Sequence, residues 1–341
     1  MKRVVDLNTP HDKFFKKTLG DAEIAKDFIV NYLPKQLVQV IDVTTLEPQK
    51  DSFINEKLEE NFSDLLFKVN ICNNEGYLYI LFEHKSYPAK DISLQLLKYM
   101  VEIWEAKRKK EQVKGLPIII PLVMYHGKQN WNIPKNIGEL INGYAELPEE
   151  VKVYVPTFEY LLYDLSIYTD EDIKGVAQLR IMFTLFRDLM TTTGEVLRQS
   201  IHRALYYLND LEDKQTAVGY VETMMHYIFS VAKDLTEADV EQMIQQLERN
   251  NIEGSELVMT LAEMWMEKGM EKGMEKGMEK GRSLGKTEAL SEVALLQLTN
   301  KLGNLPQDVK DAIAQADIPT LQLILTNIFS IQGIDEVKRY L

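Results

Sequence analysis

Two apolar segments and the amphipathic segment between them constrain the fold of this 341-residue chain more than any other feature. Residues 77–82 and 117–125 are apolar almost throughout, which is typical of strands that are covered on both faces. Residues 91–111 instead repeat apolar side chains at helical spacing. A strand, a helix and a second strand in this order predict a right-handed crossover connection within one sheet.

The chain begins with a helical pattern. Thr9, Pro10 and Asp12 have the spacing of an N-cap, a first helical residue and a capping-box partner. Apolar residues then recur at helical spacing up to Pro34. The Gly20-Asp21 pair in the middle of this pattern predicts a break into two helices.

A period-two pattern of apolar residues predicts the remaining strands of the sheet. Residues 62–69 and 77–85 form a predicted hairpin with its turn at 73–76, and residues 151–163 supply one further strand. The predicted core is therefore an α/β sandwich over about residues 8–165. Its order is a helix, three antiparallel strands, a helix and another strand.

Beyond residue 170 the patterns predict helices and no strand. Amphipathic segments occur at 171–192, 196–209, 214–232 and 237–248. The motif Met-Glu-Lys-Gly then occurs four times in succession from Met266, and short helices are expected after it. These changes predict four regions, at residues 1–165, 166–260, 261–290 and 291–341.

The Met-Glu-Lys-Gly repeat predicts a helical tether of marginal stability. Each glycine in a helix costs about 1 kcal/mol relative to alanine, and each Glu–Lys pair recovers only a few tenths of that. The alternative is a methionine-lined helix that forms when two copies of the chain associate. A homo-oligomer through the C-terminal helices is therefore one expected partner.

The charged residues are distributed unevenly. The net charge is -13, but residues 1–130 carry 19 Lys+Arg and 18 Asp+Glu, whereas residues 131–341 carry 20 and 34. The acid excess therefore does not exclude nucleic-acid binding by the N-terminal part. The single cysteine excludes a disulfide framework and a thiolate zinc site. No apolar segment approaches the ~20 residues of a membrane span, and no apolar leader is present, so we expect no membrane partner and a cytoplasmic location.

Three side chains of the predicted hairpin point to phosphodiester chemistry. Strand alternation places Glu83 and Lys85 on one face at the end of an apolar strand, and the hairpin brings Asp64 alongside them. Two acidic groups and an ammonium group on a sheet core are costly to bury unless a cation compensates. Mg²⁺ is typically held by one or two carboxylates together with phosphate oxygens. Lys85 could then activate the attacking water or offset charge that develops on the phosphate.

Gln95 and Tyr99 are four residues apart in the predicted helix, so their side chains point the same way, toward the substrate backbone or Lys85. Each of these signals has an ordinary structural alternative. An acidic-x-Lys triplet is common on strand surfaces, and Tyr99 could be a core residue of an amphipathic helix. The position of Asp64, which the hairpin brings alongside Glu83 and Lys85, favours a catalytic site over these alternatives.

These residues carry a resemblance to known nucleases. Asp64…Glu83-x-Lys85 resembles the PD-(D/E)XK phosphodiesterase superfamily, and Gln95-x-x-x-Tyr99 is similar to the QxxxY element of its RecB-like branch. The segments HDKFFK, EHKS and PLVMYHG and the lysine-glycine repeat together resemble the Rpn family of recombination-promoting nucleases, which are also labelled transposases. The resemblance implies a PD-(D/E)XK restriction-endonuclease-like core, a mixed sheet flanked by helices, followed by an all-α C-terminal region.

The resemblance also implies a function, namely a bacterial, metal-dependent DNA endonuclease with a role in recombination or mobile-element biology. The catalytic residues that it implies are Asp64, Glu83, Lys85, Gln95 and Tyr99. Asp64 and Glu83 would bind Mg²⁺ or Mn²⁺, and Lys85 would be the catalytic lysine. Asp12 is a further candidate metal ligand, although a helix-capping role explains it completely. Ser63 stands where the superfamily motif has a proline.

DNA as a partner draws attention to two groups of basic residues. The first helix carries Lys13, Lys16 and Lys17, and the end of the second long helical segment carries Lys107, Arg108, Lys109 and Lys110. Either group could contact phosphates. The alternative is a favourable interaction of these charges with the C-terminus of their own helix.

Two other functions stay open. A nuclease-derived interaction or assembly protein would bind a protein partner through its helices and acidic surface, and its cleavage would be weak or conditional. A transposase would join DNA ends as well as cut them. Such a protein is expected to contain a DNA-reading element such as a helix-turn-helix, and the sequence shows none.

Overall fold

The computed structural model describes residues 9–49, 64–83, 90–111, 115–189, 192–211, 214–232, 235–249 and 255–341. The chain forms two compact units, Met1–Ala262 and Glu263–Leu341. The strands in the described part of the first unit are β1 (Ile41–Gln49), β2 (Leu65–Ile71), β3 (Asn74–Glu83), β4 (Ile118–Tyr125) and β5 (Leu161–Asp164). None of the helices in these ranges combines the length and the hydropathy of a membrane span.

The described part of the first unit also contains helices. They are α1 (Pro10–Leu19), α2 (Ala22–Tyr32), α3 (Lys35–Val38), α4 (Ile92–Glu111), α5 (Glu149–Lys152), α6 (Ala177–Asp188), α7 (Gly194–Tyr207), α8 (Lys214–Val231) and α9 (Glu237–Arg249). Short 3₁₀ helices lie at Ile137–Leu140, Leu165–Ile167 and Leu208–Asp210. The protein is thus an α/β structure, and no strand follows β5 in the described residues, as the sequence predicts.

The sheet is mixed, and its strand order follows the chain. The order is β1-β2-β3-β4-β5, with β1, β2 and β3 antiparallel and with β3, β4 and β5 parallel. The helix α4 connects the two central parallel strands, so the predicted strand–helix–strand unit is confirmed. Both central strands are buried over most of their length, which explains why they carry so few polar residues.

The turn of the β2–β3 hairpin lies earlier than predicted. The chain turns at Cys72-Asn73, and both residues have positive φ, at 49° and 63°. Two consecutive residues of this kind make the tight turn that fits the twist of a hairpin. Gly76, predicted to be in the turn, instead lies in β3 opposite Val69. A Cβ at position 76 would lie 2.6 Å from Ile71 Cδ1, so this glycine makes room for a neighbouring side chain.

The two N-terminal helices are confirmed, together with their caps. The Thr9 hydroxyl accepts a hydrogen bond from the Asp12 amide (3.3 Å), as the first half of a capping box requires, and donates one to the Asp12 carboxylate (2.7 Å). The chain leaves α1 at Gly20, and the Asp21 side chain then caps α2. Local polar groups therefore set both ends of this break.

The predicted strand at 151–163 is only partly correct. Residues Glu149–Lys152 form α5, and the strand itself is limited to Leu161–Asp164. Pro148 precedes the first turn of α5, where a missing amide hydrogen costs nothing. Pro156 lacks the donor that a ladder hydrogen bond would need. Two prolines thus favour a helical turn and a loop over an extended strand.

The helices after the sheet belong to the same compact unit as the sheet. Phe14 of α1 stacks on Tyr227 of α8 at 4.5 Å between ring centroids and meets Phe186 of α6 edge-on at 5.7 Å. Phe15, the next residue, stacks on Phe82 of β3 at 4.2 Å. The sequence predicts a boundary at residue 165, whereas the structure continues the unit to Ala262 because α1 packs against both layers.

The second unit has a helical core of its own. The helix α10 (Ser255–Leu302) contains the whole Met-Glu-Lys-Gly repeat, and Met270, Met274 and Met278 on it are exposed. Three shorter helices follow, α11 (Gln307–Gln315), α12 (Ile318–Thr326) and α13 (Ile334–Lys338). Their core contains the buried residues Ala294, Leu298, Leu305, Val309, Ile313, Leu321, Ile324, Ile328, Ile331 and Val337. Gly303, with φ +84°, ends α10 where the sequence predicts a turn.

Lys107 of α4 is a buried cation held by the hairpin. Its side chain lies 2.7 Å from one carboxylate oxygen of Glu75 and 5.4 Å from the centroid of the Tyr77 ring, and the residue is only 2% exposed. The other Glu75 oxygen lies 2.9 Å from Lys68. Burial raises the pKa of Glu75, but hydrogen bonds from Lys107 and Lys68 outweigh this effect and lower the pKa to about 2. The ion pair therefore fastens α4 to the sheet.

We predict that Glu75→Gln destabilises the protein by about 2–3 kcal/mol, because it removes the charge of Glu75 from the ion pair with the buried Lys107 ammonium. Since the folded-state pKa of Glu75 is depressed, the loss should be full above about pH 4.5 and should shrink as the pH falls toward 2. Urea unfolding at several pH values measures it. The matched control is Glu105→Gln, which removes an exposed pair with Lys109 (3.7 Å) and should cost less than about 1 kcal/mol. Equal losses in the two variants would contradict the prediction.

Candidate functional site

The candidate site lies where β2 begins and β3 ends, on the face of the sheet that α4 covers. Leu66 of β2 pairs with Tyr79 of β3, and both belong to the apolar core beneath α4. Side chains alternate along a strand, so Asp64 points to the same face as Leu66, and Glu83 points to the same face as Tyr79. The hairpin register thus brings two carboxylates from distant positions in the chain to one end of the sheet.

Asp64 carries the most strongly perturbed carboxyl group of the site. The Tyr79 hydroxyl donates a hydrogen bond to Oδ2, whereas Oδ1 is buried and has no hydrogen-bond partner among the described residues. Burial raises the pKa of Asp64 to about 7 and outweighs the lowering by the Tyr79 hydroxyl, the Phe82 amide and the charge of Lys16. The charge of Glu83 raises the pKa further. An oxygen that is buried without a partner is ready to accept a ligand.

Glu83 is the second carboxylate of the site. It is the last residue of β3 and is 6% exposed. Its backbone oxygen accepts a hydrogen bond from the His126 amide (3.2 Å), which continues the pairing of β3 with β4 past the end of the strand. The position of Glu83 is therefore set by the two central strands. No group of three or more His, Cys, Asp or Glu side chains is arranged to hold a metal ion in the described ranges.

The helix α4 brings Gln95 and Tyr99 to this pair. The Gln95 amide group donates a hydrogen bond to the Tyr99 hydroxyl (3.4 Å), and the Tyr99 and Tyr79 rings are 5.3 Å apart. Burial raises the pKa of Tyr99, and the charge of Asp64 raises it further, which shows that the phenol lies near this carboxylate. Tyr99 is also 4% exposed and packs in the core beneath α4, so the core alternative and the site alternative are both compatible with its position.

Of the remaining predicted site residues, Asp12 is described by the structure and Lys85 is not. Thr9 donates a hydrogen bond to Oδ2 of Asp12, and Oδ1 of Asp12 is buried as well, so the cap accounts for one of the two carboxylate oxygens. Lys85 and its neighbour His84 lie outside the described residues, so their predicted roles stay predictions. Tyr79 is the residue that the sequence analysis missed. The signal was present, because Tyr79 is four residues before Glu83 and therefore on the same face of β3.

Only part of the two predicted basic groups is exposed. Lys107 is buried and paired with Glu75, so it belongs to the core and not to a phosphate-binding surface, which corrects its assignment. Arg108 and Lys109 are exposed, and the side chain of Lys110 lies outside the described part of the chain. On α1, Lys13 and Lys17 are exposed and Lys16 is half-buried. The charge of Lys16 lowers the pKa of Asp64, so this lysine acts electrostatically on the candidate site.

Comparison with known proteins identifies the family. A family model described as "Putative transposase, YhgA-like" matches residues 9–216, which contain the whole candidate site. The chain belongs to this family. No solved structure matches the chain.

Curated relatives of this YhgA-like chain include several recombination-promoting nucleases. RpnC of Escherichia coli (strain K12) is 27% identical over 76% of this chain and 82% of its own length. RpnD of Escherichia coli O157:H7 is 26% identical over 75% of this chain and 94% of its own length. The "inactive recombination-promoting nuclease-like protein RpnE" of Escherichia coli (strain K12) is 26% identical over 77% of this chain and 83% of its own length. The resemblance to the Rpn family that the sequence motifs indicate is thereby confirmed.

We predict that Asp64→Asn stabilises the metal-free protein, and increasingly so as the pH rises. The folded-state pKa of Asp64 is raised from 3.8 to about 7, so ionisation destabilises the folded state progressively between pH 4 and pH 7 and fully above that. A shift of this size corresponds to at most about 4 kcal/mol. Urea unfolding in EDTA from pH 4.5 to 8 compares the variant with the wild type.

A second variant makes this prediction specific. Tyr79→Phe removes the hydrogen bond that holds the ionised form of Asp64, which raises the folded-state pKa of Asp64 further. The loss of stability should begin at the same pH as in the wild type, because the unfolded-state pKa sets its onset, but it should continue to a higher pH and become larger. If the stability difference between Asp64→Asn and the wild type is the same at pH 5 and pH 8, the Asp64 carboxyl group is not held in a desolvated site.

Proposed function

We propose that this chain is a metal-dependent DNA endonuclease built on a PD-(D/E)XK core and linked to DNA recombination or mobile-element biology. The observation that carries the proposal is the carboxylate pair at one end of the sheet, in which Glu83 is buried and Asp64 Oδ1 is buried with no hydrogen-bond partner among the described residues. The names of RpnC and RpnD support nuclease activity. Asp64, Glu83 and Lys85 are the core of the motif that the proposal assigns to this site.

The order of elements supports the PD-(D/E)XK core. Three antiparallel strands are followed by α4 and by the parallel strand β4, which is the order expected from the sequence motifs. Asp64 lies at the first of the two motif positions, immediately before β2, and Glu83 lies at the second, at the end of β3. The helix that follows supplies Gln95 and Tyr99 on the same side.

The carboxylate pair fits a divalent cation. Two buried carboxylates repel each other and lose their hydration, which is costly unless a cation compensates. Hard oxygen donors of this type suit Mg²⁺ or Mn²⁺, and a pair is sufficient because Mg²⁺ usually keeps waters or phosphate oxygens as its other ligands. Asp64 would bind through Oδ1, and Glu83 would bind through its carboxylate. Asp12 is a weaker candidate for a third ligand because Thr9 already binds one of its oxygens.

The residues around the pair have roles that follow from their contacts. A bound divalent cation supplies Lewis acidity toward the phosphodiester and favours ionisation of the attacking water. Tyr79 fixes the orientation of Asp64 through Oδ2 and leaves Oδ1 to the ligand. Gln95 orients the Tyr99 hydroxyl beside the carboxylate. Lys85 is proposed to hold or transfer a proton at the attacking water, or to stabilise charge on the phosphate.

The name of RpnE supports a second candidate function. This relative is described as inactive although it is as similar to the chain as RpnD. A nuclease-derived interaction protein would keep the fold and the helices but would cut weakly or conditionally. A transposase is the third possibility, since the matching family is described as a transposase family. Cleavage without end joining separates the endonuclease from the transposase.

We predict that the full chain nicks or cuts supercoiled plasmid in Mg²⁺ or Mn²⁺ and that EDTA abolishes the activity. Asp64→Asn, Glu83→Gln and Lys85→Met should each lower the rate at least about a hundredfold, since each removes a charge that acts on the reacting phosphate. The matched control is Glu47→Gln, an exposed carboxylate of β1 in the same sheet, which should cut at the wild-type rate. Equal cleavage by Asp64→Asn and the wild type would rule the proposal out.

We also predict that Tyr79→Phe raises the Mg²⁺ concentration needed for half-maximal activity by about 10–100-fold, because it removes the group that orients a metal ligand. Its maximal rate at saturating Mg²⁺ should fall much less than that of Asp64→Asn. A Tyr77→Phe variant serves as control, because the Tyr77 hydroxyl donates to Glu75 and not to Asp64. An unchanged Mg²⁺ dependence would show that Tyr79 has no role at the ligand.

A further inference from the structure

A groove of about 850 Å³ runs between α1 and α8 in the first unit. The helix α1 contributes Lys13, Lys16 and Lys17 to its wall. The helix α8 contributes Thr223, His226 and Ser230, and Tyr227 forms part of the floor where it stacks on Phe14. The three lysines lie within about one and a half turns of α1 and face a wall with hydroxyl and imidazole groups. Such a surface suits an anionic ligand.

The acidic residues of this groove are partly engaged elsewhere. Asp12 is bound to Thr9 in the capping box. Glu222 is 3.9 Å from the His226 imidazole, four residues on in α8, and both side chains are exposed. Lys13 and Lys17 are also exposed, so their ammonium groups face the groove entrance and solvent. The balance of charge in the groove is therefore positive.

Lys16 connects the groove to the carboxylate pair. This residue lines the groove, and its charge also acts on Asp64. It is half-buried, whereas the lysines on either side of it are exposed. The carboxylate pair lies on the α4 face of the sheet, whereas α1 packs on Phe82 and so on the opposite face. Lys16 is therefore the groove residue whose charge reaches the site, and the groove itself is a separate surface.

The charge reverses at the other end of the groove. A second cavity of about 770 Å³ shares Lys17 and Thr223 with the first. Its lining includes Asp21, Glu23 and Asp27 and only one further cation, Lys26, which pairs with Glu23 at 2.7 Å. Phosphates would be repelled there. The acidic cavity therefore limits how far an anionic ligand can extend along α8.

We propose that the groove between α1 and α8 binds backbone phosphates of duplex DNA. The inference rests on the proposed function for the identity of the ligand. It adds α8, which lies outside the predicted nuclease core, to the DNA-binding surface, and it favours the lysines of α1 over the Arg108–Lys109 surface of α4. From Thr223 to Ser230 the helix rises about 10 Å, which matches about three base-pair steps along one strand.

The experiment measures binding without cleavage. A fluorescein-labelled 25-base-pair duplex is titrated with the full chain in EDTA, by anisotropy, at salt concentrations from 50 to 200 mM. The variant Lys13→Gln/Lys17→Gln is compared with the matched variant Arg108→Gln/Lys109→Gln. Each lost phosphate contact should lower the slope of log affinity against log salt by about 0.9, so the α1 variant should lose about 2 units of slope and bind at least about tenfold more weakly at 100 mM. The α4 variant should bind as the wild type does.

A variant that gains binding makes the test independent of folding losses. Glu222 is exposed, and Glu222→Lys adds a cation opposite Lys13 and Lys17. Its salt slope should rise by about 1. The proposal that the groove binds DNA would be overturned if the salt slope were unchanged in both the Lys13→Gln/Lys17→Gln and the Glu222→Lys variants. It would also be overturned if only the Arg108→Gln/Lys109→Gln variant lost affinity and slope.

These outcomes are separable from those of the cleavage assay. If the wild type cuts plasmid and the groove variants bind DNA normally, the groove inference is wrong and the endonuclease stands. If the slopes change as expected but no metal supports cutting, the groove binds DNA in a protein that is not an endonuclease.

Discussion

The arrangement of the first unit depends on aromatic stacking on both sides of α1. Phe15 packs on Phe82 of the sheet, and Phe14 packs on Tyr227 and Phe186 of the helical layer. Adjacent residues of one helix thus join two layers, and each ring pair adds about 0.5–1.5 kcal/mol to the burial of its apolar surface. This packing also determines where Lys16, the next residue, lies. Lys16, whose charge lowers the pKa of Asp64, is positioned by the same helix that holds the sheet and the helical layer together.

The carboxylate pair opposes the stability of this core. Asp64 and Glu83 are kept on the α4 face by the same alternation that buries Tyr79 and Leu81, so neither can turn to solvent without disturbing a central strand. Ionised carboxylates in such a position weaken the fold and gain in affinity for a cation. The conflict between stability and ligand binding is what distinguishes this end of the sheet from the other, where Glu75 is neutralised by Lys107 and Lys68.

Features governed by near neighbours were predictable from the sequence, and those governed by distant packing were not. The capping box, the break at Gly20-Asp21 and the parallel strands around α4 follow from local patterns, and so does the grouping of Asp64 with Glu83. The burial of Lys107 was not predictable, because its partner Glu75 lies on another element. The continuity of the sheet with α6 and α8 depends on contacts such as Phe14 with Tyr227, more than two hundred residues apart, which leave no periodic signal.

The tight turn at Cys72-Asn73 has a practical consequence for spectroscopy. Cys72 is exposed and is the single cysteine of the chain, so one thiol-reactive dye would label one defined position without any prior mutagenesis. Seven residues of β2 separate this turn from Asp64, which corresponds to about 25 Å along the strand. That separation suits energy transfer to an acceptor placed at the end of a short oligonucleotide. A dye on Cys72 would therefore report the distance between the hairpin turn and a ligand bound at the carboxylate pair.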